Sequence, residues 1–86
     1  MGDLESFTEM YTREGGPVLL FLARRTLDSA VAADLTAETF ALALRSWSRL
    51  RGRSENEVRA WLYTVADWQV SRYLRLPRPV CPGGSP

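Results

Sequence analysis

Between Asp28 and Leu50 the apolar side chains return with the pitch of a helix. Ala32, Thr36, Phe40, Ala43 and Trp47 are separated by four, four, three and four residues, which lays one stripe along one side of the rod. Asp28 stands where an N-cap belongs, with a carboxylate free to accept from the first unpaired amides. The opposite side carries Asp34, Glu38 and Arg45, but also Val31, Ala41 and Leu42. A face that met only water would be more polar. The pattern predicts one side for a core and the other for a partner.

Upstream, Leu4, Phe7 and Tyr11 keep helical spacing behind Asp3, a residue type suited to capping. Gly15-Gly16 predicts the end of that helix, and Pro17 suits the first turn of the next, where its missing N–H costs nothing. Val18 to Leu27 reads as this second segment, with Phe21 and Leu22 as core contacts and Arg24 and Arg25 at the negative end of its dipole. After Trp47 the run SRLRGRSENE is polar, arginine-rich and broken by Gly52, which predicts a loop of about eight residues. The last helix starts at Ser54 or Asn56 and places Val58, Trp61, Leu62, Val65 and Gln69 along its inner side, with Trp68 at the margin. Pro77 ends it. No stretch alternates as a strand does, so the fold class is all-α. The pattern predicts a small bundle of three to four helices over residues 1–76, and a Pro- and Gly-rich tail over 77–86 that is expected to be disordered.

At 86 residues, 45% apolar and 24% charged, the chain has room for one small domain and little else. It has no histidine, and all eleven basic residues are arginine. That removes histidine acid–base chemistry, lysine Schiff bases and histidine metal sites together. Cys81 is the single cysteine, so neither an internal disulfide nor a zinc cluster is expected, and a reducing, cytoplasmic setting fits. No apolar run approaches the roughly 20 residues of a membrane helix, and the acidic start MGDLESF is not a secretory signal. No nucleophile is set beside a base and no glycine loop opens a helix in phosphate-cradling form, so neither an enzyme nor a cofactor is expected.

The net charge of +1 hides a division. Residues 1–38 hold seven acids and three arginines, a net of −4, whereas residues 39–86 hold eight arginines and three acids, a net of +5. Two kinds of surface follow, one suited to a basic protein patch and one to phosphate, unless the division is chance sampling in a short chain.

The order of motifs resembles a known family. F-T-E-M-Y, P-V-L-L-F-L-A-R-R-T, A-A-D-L-T-A-E-T-F, L-R-G-R-S and W-L-Y-T-V-A, running from about Phe7 to Arg75, are similar to region 2 of the extracytoplasmic-function RNA polymerase sigma factors. The D-L-x-x-E-T-F block with W-L-x-x-V-A some twenty residues later is the specific part. The resemblance implies a bacterial subunit for transcription initiation, without catalysis or cofactor of its own. It implies that Asp34, Leu35 and Glu38, flanked by Leu42 and Arg45, dock on the clamp coiled coil of the largest subunit of core RNA polymerase. Two carboxylates one turn apart suit a basic helix. It implies further that Arg49, Leu50, Arg51, Gly52, Arg53 and Ser54 in the loop, with Trp68, Arg72 and Arg75 in the last helix, hold the −10 element of promoter DNA as a melted single strand and capture a flipped base. Arginines would track phosphates, Gly52 would let backbone approach the base, and Trp68, set next to the loop, would offer a stacking face. An anti-sigma factor is a further partner, and a membrane is not. From the residues alone, a solvated acidic face and arginines kept for solubility remain open beside these roles, and Trp61 reads as core.

The chain departs from that family at three positions. Asp67 and Trp68 stand where an Arg and an Asn are usual, and Ala37 where a Gln is usual. An acid close to phosphate is repulsive. Nine residues follow Pro77, so a helix-turn-helix domain reading the −35 element either lies in a longer protein or is lacking. The alternative reading keeps the fold but uses apolar patches to bind an anti-sigma partner or a second copy, without promoter recognition.

Overall fold

The computed structural model describes residues 2–75. Among them are four helices, α1 (Gly2–Thr26), α2 (Ser29–Arg45), the single-turn α3 (Trp47–Leu50) and α4 (Glu55–Arg75), and no strand. The all-α expectation holds. α1 packs on both α2 and α4, which also pack on one another.

α1 runs unbroken through Gly15, Gly16 and Pro17, against the expectation of two segments. Pro17 has no N–H to give the Arg13 carbonyl, and a helix-interior proline costs about 3 kcal/mol. Met10, Val18 and Leu22, on either side of the break signal, are each 1% exposed or less. Burying side chains of this size contributes about 1.5–3 kcal/mol apiece, so three contacts on one stripe outweigh one lost bond. Asp3, expected before the helix, falls inside its first turn. Leu27 ends α1 in the left-handed conformation, φ 57°, and its N–H donates to the Ala23 carbonyl at 2.8 Å, a position glycine usually fills.

Asp28 caps α2 as expected, its carboxylate accepting from the N–H groups of Ala30 and Val31 at 3.0 and 3.1 Å. The stripe Ala32, Thr36, Phe40, Ala43 and Trp47 is buried throughout, and Leu35 and Thr39 widen it. Thr36 and Thr39 give their hydroxyl protons to the carbonyls of Ala32 and Leu35, at 2.7 and 2.8 Å, which lets both sit in the core. Val31 and Leu42, expected on the free face, are half-buried at its edge.

α3 replaces the first part of the expected loop. Trp47 meets Phe7 edge-on at 5.6 Å and donates its indole N–H to Ser6 Oγ at 2.8 Å. Only a short turn, 51–53, then leads towards α4. Ser54 and Glu57 cap α4 reciprocally: the Ser54 N–H donates to Glu57 Oε1 at 3.1 Å, and the Glu57 N–H to Ser54 Oγ at 3.2 Å. Val58, Leu62, Ala66, Gln69 and Val70 are its buried positions. Trp61 and Val65, expected inside, are only half-buried. Pro77 and the tail over 77–86 lie outside the described residues. No described helix is long and apolar enough to cross a membrane.

Candidate functional site

The outward face of α2 presents Asp34, Glu38 and Arg45 to solvent, with the small side chains of Ala37 and Ala41 between them. Asp34 and Glu38 are one turn apart, and neither makes an ion pair among the described residues. Two expected members of this face behave differently. Leu35 is 9% exposed and belongs to the core, because the helix turns it towards α4 beside Gln69 and Tyr73. Leu42 is half-buried and borders α4. A partner meeting this face therefore meets carboxylates and alanines first.

The turn region divides its arginines. Arg49 and Arg53 line an open hollow of about 310 Å³ with Ser46, Leu50, Glu57 and Trp61. Arg51 is committed elsewhere, 2.8 Å from Asp3 at the start of α1. Leu50, expected to contact nucleic acid, is 5% exposed and packs in the core, since α3 turns it inward. Gly52 is exposed, has no positive φ, and has open space where a Cβ would stand. Ser54 uses its hydroxyl as the α4 cap.

The aromatic residue beside this turn is Trp61 and not Trp68. Thirteen residues of helix separate Trp68 from Glu55, about 20 Å along the axis. Trp68 instead lines a second hollow with Glu38, Ala41, Leu42, Arg45, Gln69 and Arg72. It is 51% exposed, and the Arg72 guanidinium lies over its ring at 5.4 Å. Trp61 and Trp68 are seven residues apart, two turns, so they share one side of α4 about 10 Å from each other. Residues assigned to two surfaces, Leu42 and Arg45 on one hand and Trp68 and Arg72 on the other, thus meet around one hollow. Arg75, at the end of α4, is exposed.

Asp67 is not a bare acid facing phosphate. Its carboxylate pairs with Arg25 of α1 at 2.7 Å, on a different side of α4 from the two tryptophans. Arg25 in turn lies over Phe21 at 5.1 Å, and Phe21 meets Tyr63 edge-on at 5.1 Å.

Sequence reasoning also missed Glu14. It is 2% exposed, on the same stripe as Met10 and Val18, and that four-residue spacing was the available signal. Arg59 and Arg13 both donate to it. Burial by itself pushes its carboxyl up, but the hydrogen bonds and charges of Arg59 and Arg13 more than offset this and hold it below its ordinary value. Arg59 is raised in return by Glu14. This cluster anchors the start of α4, next to the turn that carries Arg53.

Comparison with known proteins agrees with the family and the all-α fold that the motif order suggested. The model of the family described as Sigma-70 region 2 matches residues 10–77. The chain belongs to that family. It is also 37% identical over 71 residues to the RNA polymerase sigma factor YlaC of Bacillus subtilis (strain 168), an alignment covering 83% of this chain and 40% of that protein. The chain thus spans less than half the length of this relative. No solved structure matches it.

Proposed function

We propose that the chain is the part of a sigma factor that joins core RNA polymerase to unpaired promoter DNA in transcription initiation. The outward face of α2 docks on the clamp coiled coil through Asp34 and Glu38, with Arg45 at its edge and Leu42 where it borders α4. The stripe of Trp61, Trp68, Arg49, Arg53 and Arg72 receives the −10 element as a single strand. Catalysis belongs to the polymerase, and a cytoplasmic setting follows from that partner. The domain acts by differential affinity: it binds separated strands better than paired ones and so shifts the melting equilibrium. One observation carries this reading, the meeting of Arg49, Arg53 and Trp61 around an open hollow. Cations beside an aromatic face are what single-stranded binding uses.

The test is retention on immobilised core RNA polymerase. The wild-type chain is expected to be held. Asp34→Arg combined with Glu38→Arg is expected to be lost while its far-ultraviolet circular dichroism stays unchanged, because both side chains are exposed. Retention of the double variant at the wild-type level would sink the docking assignment.

A further inference from the structure

Gly16 weakens α1, and nothing inside the domain accounts for it. Glycine in a helix interior is less stable than alanine, yet Gly16 has no positive φ and a Cβ there would meet nothing within 4 Å. It is exposed, and so are Leu19 and Leu20 one turn on, at 40% and 52%. Gly16 and Leu20 stand two residues either side of Val18, which is sealed in the core. At about 100° of rotation per residue they point almost directly away from α2 and α4. From Leu20 the apolar surface continues into an open hollow of about 410 Å³ lined by Pro17, Phe21 and Tyr63. Glu9 and Arg24 extend the same side of α1, one at each end. Both are exposed and neither makes an ion pair or hydrogen bond among the described residues, whereas the neighbouring Arg25 is held by Asp67. A glycine on an exposed face lets another backbone approach closely, and exposed apolar surface rimmed by charge marks a contact.

We propose that the outward face of α1 pairs, antiparallel, with the same face of a second copy of this chain. The stripe carries a free acid at one end, a free cation at the other, and a glycine followed by leucines between them. Its complement is the same stripe turned end for end. A two-fold axis passing near Pro17 sets Arg24, seven positions after it, against the other copy's Glu9, eight positions before it. Leu20 then falls beside the other copy's Gly16, in space that no side chain of that copy uses. Each contact occurs twice, as an isologous interface requires. The shared surface is one helix wide, so the association is weak beside that of obligate dimers. The pairing does not depend on the proposed function, whose residues lie on α2, α3, the turn and α4.

The test is sedimentation equilibrium of the whole chain from about 1 to about 500 μM, where a monomer–dimer equilibrium with a dissociation constant of roughly 10–100 μM is expected. Glu9→Arg and Arg24→Glu should each weaken it about tenfold by setting like charges together, and Gly16→Leu at least about tenfold by holding the helices apart. Gly16→Ala separates pairing from folding. It should raise the melting temperature of dilute, monomeric protein, because alanine favours the helix, and still weaken the dimer. An equal mixture of the Glu9→Arg and Arg24→Glu proteins should associate with close to the wild-type constant, since every arginine of the stripe then faces a glutamate. A chain that stays monomeric throughout the range overturns the proposal. So does a dimer indifferent to Gly16→Leu and to both charge reversals, which would lie on another face, and so does a mixture that fails to associate.

Discussion

Arg59 of α4 closes on Glu14 of α1 with its Nε 3.2 Å from each carboxylate oxygen and its Nη2 3.0 Å from one of them. Arg13 adds a further contact at 3.0 Å. The carboxylate is 2% exposed, while the arginines keep contact with water. One buried anion thereby ties the middle of α1 to the first turns of α4. Glu14→Ala removes the acceptor that both guanidinium groups face, and the expected loss is about 2 kcal/mol, the scale of hydrogen bonds to a charged group. Urea unfolding should show a lower midpoint with an unchanged slope. An unchanged midpoint would mean that the arginines find water as good a partner.

The same carboxylate sets a pH dependence. Its folded-state pKa lies below the ordinary value of 4.5, so the unfolded chain takes up the proton first as the pH falls. Its contribution is therefore complete above the unfolded value and is lost as the pH drops through 4.5 towards the folded value. Thermal melts from about pH 6 down to about pH 3 should show the wild type losing stability over the lower part of that range. Glu14→Gln should remove part of that slope. Identical slopes in the two proteins would assign the acid sensitivity to other carboxylates.

Leu27 is 88% exposed and holds φ at 57°. A left-handed backbone costs a branched side chain about 1–2 kcal/mol, and at that exposure packing returns little. Leu27→Gly relieves the strain but enlarges the freedom of the unfolded chain by about 0.5–1 kcal/mol. The net expectation is a gain of up to about 1 kcal/mol, read as a rise in melting temperature of a few degrees. Asp28→Ala, one residue on, should move the other way by about 1 kcal/mol through loss of the α2 cap. A destabilised Leu27→Gly would mean that the leucine makes contacts in solution beyond the domain.

Much of this architecture was legible because periodicity alone carries it. Ala32, Phe40 and Ala43 recur at helical spacing and are buried, and Asp28 caps where its side chain can reach the next amides. What escaped depended on partners distant in the chain. Gly15, Gly16 and Pro17 are strong local break signals, overruled by burial of residues on both sides of them. Leu35 and Leu50 sit within motifs that suggest contact, yet only the crossing of α2, α3 and α4 decides that they face inward. The charge of Asp67 looked like a defect until Arg25, 42 positions away, was found beside it. Trp61 and Trp68 differ by seven positions on one side of one helix, and nothing local says which of them lies beside the turn.

Arg49 and Arg53 line the hollow that holds Trp61, whereas Arg51 is drawn 2.8 Å from Asp3. If the hollow receives a single strand, these three arginines should not contribute alike. A phosphate contact adds about 0.7 to the slope of log affinity against log salt for single strands. Arg49→Ala and Arg53→Ala should each lower that slope by about this amount, and Arg51→Ala by clearly less. Trp61→Ala should lower affinity by roughly tenfold at every salt concentration and leave the slope alone, because stacking releases no counterions. Titrations of one labelled oligonucleotide at several salt concentrations give both quantities at once. Three equal arginine slopes would describe a diffuse positive surface and remove the hollow from the strand's path.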